Sequence, residues 1–197
     1  MPIHEYLDKV LVTYTTGQFY DEVKKAKAEF FDRTGKVAEG SEKFEGQMRA
    51  FLDWYLFDRP TDKAQLCPVK LFVIDKKTEL QNEEKEVFEK LADSIHSLFE
   101  LQKVRNTDVY LKDLVSGEKY IVEESEINQG FTKGDVFESR LLKYRDRLVF
   151  GGSFVFHPRE CRSFILKQIK QVRYLDDHHK LKLFQRLSAM KLKTDQY

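Results

Sequence analysis

Residues Phe51 to Pro60 read FLDWYLFDRP, with the single tryptophan of the chain, two phenylalanines and a tyrosine running into an abrupt polar stop. On a helix turning 100° per residue, with Phe51 at zero, the apolar positions Phe57, Trp54, Phe51, Phe44, Tyr55, Met48, Leu52 and Leu56 sweep an arc of about 260°. A helix lying on a surface needs a much narrower stripe. This one is expected in the middle of a core, with partners on several sides and only Gly46, Arg49 and Asp53 turned to water. Continuing it past Asp58 would place that carboxylate at about −20°, beside Phe51, and the Arg59-Pro60 step removes Arg59 from the α region. The helix is therefore expected to end at Asp58, whose carboxylate pairs with a backbone amide or an arginine. Phe51, Trp54, Asp58 and Arg59 are read as one structural motif rather than a catalytic cluster.

Helices are expected on both sides of this element. Ile3, Tyr6, Leu7, Val10, Leu11 and Tyr14 follow i, i+3, i+4, i+7 spacing after Pro2, the pattern of an amphipathic helix with proline at its start. Gly17 ends it. A second helix carries Tyr20, Val23, Ala26 and Phe30, with Asp21 and Glu22 in its first turn and lysines further on, the order the helix dipole favours; Gly35 is its expected stop. Ser41 is the expected cap of the central helix. At Pro68 a short helix with Val69, Phe72 and Val73 on one side is preferred, although four apolar residues in a row also fit a buried strand. Asn82, Glu83 and Glu84 open a helix with Val87, Phe88, Leu91, Ala92 and Ile95 facing inward.

After His96 the period changes to short apolar and β-branched runs separated by turn signals, which fit strands at 98–105, 108–114, 118–123, 135–144 and 147–156. Five consecutive short strands suggest a small closed or nearly closed antiparallel barrel of SH3-like or OB-like type, with Gly151-Gly152 supplying the bend that closure needs. His157-Pro158 ends it, with His157 expected to cap the helix that follows. That helix has Cys161, Phe164, Ile165, Ile169 and Val172 inward, and a last one from Asp176-Asp177 has Leu181, Phe184, Leu187 and Met190 inward. The expected fold is α+β: a helical region over 1–96, the barrel over 97–157 and basic C-terminal helices over 158–197. Without a Gly/Ser/Pro linker, these are expected to form one integrated unit.

With 41% hydrophobic and 34% charged residues, the composition is that of a globular protein rather than a disordered chain. No apolar run approaches the roughly 20 residues of a membrane helix, and MPIHEYLDKV lacks the apolar stretch of a signal peptide. No membrane association and a cytoplasmic location are expected, and Cys67 and Cys161, 94 positions apart, suit a reducing compartment as small buried groups. The net charge of +1 hides an asymmetry: Lys+Arg minus Asp+Glu is 15−19 = −4 over 1–97, 9−10 = −1 over 98–158 and 10−4 = +6 over 159–197. The positive end is the feature a polyanion or an acidic partner could use.

Catalytic patterns are missing. No Gly-x-Ser-x-Gly elbow, phosphate-cradling glycine loop or dinucleotide fingerprint occurs. His157 with Cys161, and His178-His179, are incomplete ligand pairs, so neither a metal nor a cofactor is expected. Cys67, between Leu66 and Pro68, reads as packing rather than as a nucleophile. The chain is therefore read as a non-enzyme. Small barrels bind strands through aromatic platforms and basic grooves, and Tyr110, Tyr120, Arg140, Lys143, Tyr144, Arg145 and Arg147 fall on or near the strands. Lys167, Lys170 and Arg173 lie on the basic helix beyond.

The segment FLDWYLFDRP, then SLFEL, DLVSGEKY and KGDVFESRLLKYRDRLVFGGSFVFHP, resembles a group of uncharacterised bacterial proteins that share an F-x-x-W-x-x-F-D helix, an aspartate–small–glycine–glutamate turn and a small β-barrel. The resemblance covers roughly residues 44 to 160 and implies no activity. Some relatives carry a C-terminal cysteine-rich zinc motif of the SEC-C type; those cysteines are absent here, so no metal role transfers. The preferred expectation is a cytoplasmic adaptor or regulatory module that recognises a protein through the barrel face and basic helices, with nucleic-acid binding by the same surface as the alternative. The sequence assigns no oligomeric state.

Overall fold

The computed structural model describes residues 2–127 and 129–194. Seven α-helices and five strands follow in the order α1 (Ile3–Thr15), α2 (Tyr20–Thr34), α3 (Glu42–Phe57), α4 (Pro68–Asp75), α5 (Asn82–Ala92), β1 (Ile95–Arg105), β2 (Asp108–Asp113), β3 (Lys119–Val122), β4 (Val136–Tyr144), β5 (Arg147–His157), α6 (Arg162–Val172) and α7 (Asp177–Thr194). They group into two compact units, one of residues 2–32, 37–94 and 142–146, the other of 33–36, 95–141 and 147–194. No helix among the described residues is long and apolar enough to cross a membrane.

In the helical unit α3 occupies the centre that its wide apolar arc demands. Phe51 and Trp54 pack on Phe30 of α2, with ring centroids 5.7 and 5.5 Å apart, and Phe51 also stacks on Tyr55 at 6.0 Å. Tyr55 turns to α1, where its hydroxyl donates to the Tyr14 carbonyl at 2.6 Å, and the Tyr14 hydroxyl donates to Asp75 at 2.7 Å. Phe72 of α4, Phe88 of α5 and Tyr6 of α1 close the remaining side, with Phe72–Phe88 at 4.6 Å and Tyr6–Phe88 at 5.3 Å. The Pro68 segment is helical, with proline in its first turn, where a missing N–H costs nothing. Ser41 stands at the α3 N-cap position, but its hydroxyl donates to the Ala38 carbonyl instead of capping.

Burial pushes the Tyr55 phenol up to about 12. Tyr14 is raised further by burial and then by the Asp75 carboxylate. Both groups hold their protons in the folded state above pH 10, where unfolded tyrosines lose theirs. The stability this represents is complete below pH 10 and is lost as pH rises from about 10 to 12. The urea midpoint is therefore expected to fall steadily over that range, and the tyrosinate absorbance of the folded protein to stop short of nine ionised rings. Full ionisation with the fold intact would contradict this.

The second unit is a curled antiparallel sheet in the order β3-β2-β1-β4-β5. One face buries Phe99, Leu101, Val109, Leu111, Val122, Phe137 and Leu141, with Phe131, Phe150 and Phe154 packed against them. The other face places Leu98, Leu114, Val115 and Val136 against Ile165 and Ile169 of α6 and Leu183, Phe184 and Leu187 of α7, so the C-terminal helices cover the sheet. The DLVSGEKY segment is the β2–β3 turn: buried Asp113 accepts from the Ser97 hydroxyl and the Val115 amide, each at 2.7 Å, and from the Ser116 amide at 3.2 Å. Gly117, at φ +87°, makes the reversal.

The sheet does not close into the expected SH3-like or OB-like barrel. Gly152 takes a left-handed φ of +91° within β5, and Cα atoms of β3 and β5 come within 8 Å. No ladder joins them, so they remain edges. The four-residue β3 pairs with β2 and the eleven-residue β5 with β4, so the two edges approach without sharing a ladder. Four smaller corrections follow from tertiary packing. The α5 helix stops at Ala92, and Ile95 starts β1, opposite Leu141. His157 caps nothing; it is buried at the end of β5, its Nε2 has no hydrogen-bond partner, and burial pushes its pKa down. Phe164 and Met190 face outward rather than inward.

Candidate macromolecule-binding surface

The ten residues expected to form a binding face are divided by the fold. Lys143, Tyr144 and Arg145 group with the helical unit and the other seven with the sheet unit. Within the helical unit Lys143 pairs with Asp93, and Tyr144 is buried beneath the Arg145 guanidinium, 5.3 Å from its ring centroid. On the sheet, Arg140 is 3% exposed, Arg147 pairs with Glu124 at 2.7 Å, and Arg173 is half-buried and donates to the Leu114 carbonyl at 3.1 Å.

The two remaining strand tyrosines lie on opposite faces, because side chains alternate along a strand. Tyr120 pairs with Leu111 and packs against Phe99. Tyr110 pairs with Ile121 on the other face, and the Lys103 ammonium covers its ring at 4.4 Å. Lys112 and Lys119 stand directly opposite each other beside it. Inward Val109 and Leu111 fix this alternation, a signal present in the sequence that would have singled out Lys103, Lys112 and Lys119.

Lys167 and Lys170 remain, and the structure gives them neighbours the periodicity had assigned elsewhere. Buried Ile165 and Ile169 orient α6. Relative to Ile165, Lys170, Lys167 and Phe164 project at about 140°, 200° and 260°, away from the sheet. Phe164 is 41% exposed, and just past the helix end Tyr174 is 91% exposed beside exposed Leu175. The result is a ridge in which two aromatic rings bracket two lysines, and no carboxylate among the described residues lies within ion-pair distance of either lysine. The roughly 100° offset of Phe164 from Ile165 is the sequence signal that separates it from the inward stripe.

Acid–base groups do meet in the sheet unit, in an order unsuited to nucleophilic catalysis. Ser188 donates to Glu138 at 3.2 Å, and the other Glu138 oxygen lies 3.0 Å from His96 Nε2. With the carboxylate in the middle, the imidazole is not placed to take the hydroxyl proton, which a serine nucleophile requires. Cys67 is buried at the start of α4, and Cys161 packs against the helix-covered core.

No curated protein and no solved structure matches the chain. The profile of a family of unknown function (DUF7986) matches residues 19–187, which takes in the α3 motif, the whole sheet and α6, and the chain belongs to that family.

Proposed function

We propose that the chain is a non-enzymatic module that recognises another protein through the outer face of α6. The observation that carries this reading is the exposure of Phe164 and Tyr174 on either side of the unpaired Lys167 and Lys170. Exposed aromatic rings are enriched at protein interfaces, where a few desolvated aromatic anchors hold most of the binding energy and charged groups such as these lysines belong to the polar rim. The acidic half of a partner would meet the +6 segment over 159–197.

Nucleic-acid binding is the second reading, and exposed Tyr174 with its neighbouring lysines is what favours it. A track for successive bases needs several free ring faces. Tyr110 is covered by Lys103, Tyr120 packs on Phe99 and Tyr144 is buried, which supports the protein partner instead.

The full chain, immobilised and exposed to native lysate, is expected to retain a stoichiometric protein that the Phe164→Ala/Tyr174→Ala variant does not. Each truncation removes about 2 kcal/mol, so the double variant binds several hundred-fold more weakly if the two add. A mobility-shift titration decides the alternative: a shift at low salt that fades steeply as salt rises, and flattens with Lys167→Ala/Lys170→Ala, would replace the protein reading with the nucleic-acid one.

A further inference from the structure

A groove of about 650 Å³ runs across the helical unit between α1, α4 and the start of α5. Phe72, Leu80 and Val12 give it an apolar lining, with Val12 60% exposed at its edge. Four carboxylates and two lysines stand along it. Both lysines are already used, Lys9 by Glu84 at 2.6 Å and Lys76 by Glu79 at 2.8 Å. Glu5 and Asp8, one helical turn apart on α1, have no cation within ion-pair distance among the described residues. The groove is therefore an apolar channel with an uncompensated acidic rim.

We infer that this groove binds the α6 ridge of a second copy of the chain, with α6 running antiparallel to α1. This rests on the reading of α6 as a protein contact face and names its partner. Three pairs come level along the helix axes in that orientation. At 1.5 Å per residue, Glu5 and Asp8 are about 4.5 Å apart along α1, as are Lys170 and Lys167 along α6. Glu5 meets Lys170 and Asp8 meets Lys167. Beyond them Val12 lies about 10.5 Å from Glu5, and Phe164 lies about 9 Å from Lys170, so the exposed ring comes nearly level with the exposed valine at the groove edge. Two unpaired acids and two unpaired bases, each at i, i+3 spacing, are complementary in sign, number and step. The net charges of −4 over 1–97 and +6 over 159–197 favour the same encounter at longer range.

Sedimentation velocity on the full chain tests this by charge exchange. The wild type is expected to self-associate at about 50 mM salt and to dissociate at about 500 mM, where surface charges are screened. Lys167→Glu/Lys170→Glu alone is expected to be monomeric, and Glu5→Lys/Asp8→Lys alone likewise, each with the circular dichroism spectrum of the wild type. Mixed in equal amounts, the two variants are expected to associate, because every reversed ridge then meets a reversed groove. A wild type that stays monomeric at low salt overturns the inference, as does a mixture of folded variants that stays monomeric. Should the groove variant misfold, persistence of the wild-type oligomer in Lys167→Glu/Lys170→Glu is sufficient to overturn it. A monomeric wild type whose captured lysate protein is lost on Phe164→Ala/Tyr174→Ala would refute the second copy as partner and leave the α6 reading standing.

Discussion

Replacing Arg59 by alanine is expected to destabilise the protein by about 3–5 kcal/mol, the cost of removing one partner from a buried ionic cluster. Arg59 is 4% exposed. Its Nε and Nη2 reach both oxygens of Glu29 at 2.9 and 3.3 Å. Nη1 donates to Glu22 at 3.1 Å, and Nη2 also to Asp62 at 3.1 Å. Burial opposes the guanidinium charge, and the Glu29 and Glu22 carboxylates outweigh it, so its pKa is raised. Glu22 also accepts the Asp62 amide at 2.6 Å, and Lys25 holds Asp62 from outside at 2.7 Å. Alanine would leave Glu22 facing a buried void without its cation. For a chain of this size the loss corresponds to a melting temperature lower by about 6–20 °C. Arg59→Lys keeps the charge without the planar fork, so a smaller fall is expected. Adding Glu29→Gln to Arg59→Ala should restore part of the stability, since an orphaned carboxylate is removed. A fall of under about 2 °C for Arg59→Ala would show that the cluster is solvated.

Trp54→Ala is expected to cost a similar amount, about 3–5 kcal/mol, by a different route: lost apolar burial and a cavity in a core that cannot fully collapse around it. Trp54 lies buried between α2 and α3, against Phe30. Urea unfolding followed by circular dichroism should show a lower midpoint with an unchanged slope. Because the two rings touch, Phe30→Ala and Trp54→Ala together should cost less than their sum by about 1 kcal/mol. Strict additivity would mean that the indole packs elsewhere. FLDWYLFDRP thus joins α2 to α3 from both ends, through Trp54 on Phe30 and Arg59 on Glu22 and Glu29.

The elements themselves were largely legible. Strands expected at 108–114 and 147–156 occur at Asp108–Asp113 and Arg147–His157, and the helix expected to stop at Asp58 does so, with the Asp58 amide bonded to the Trp54 carbonyl. These are short-range properties: a period of 2 or 3.6, a proline, a left-handed glycine. The setting of the ten candidate residues was less legible. Lys167 and Lys170 stand exposed, but Arg140, Tyr144 and Arg173 carry the same residue types and are buried or tied to the backbone. Residue type alone does not say which side of a strand a ring takes; alternation with inward Val109 and Leu111 sets it for Tyr110, and pairing carries it to Tyr120. The pairing of β3 on β2 is fixed beside the turn at Asp113.

By itself, then, the sequence determined most of the helices and strands and their order, that α3 must be surrounded, and that positive charge collects at the C-terminal end. Only the tertiary structure decided the rest. Arg59 finds Glu29 and Glu22 across 30 and 37 residues of chain. The sheet stays open because no ladder joins its edge strands β3 and β5. Phe164 turns outward because the sheet takes Ile165 and Ile169 and leaves the flank of α6 uncovered. The reason is common to all three: periodicity specifies a face within one element, whereas what covers that face depends on segments far away in the chain, brought together only when the whole core is packed.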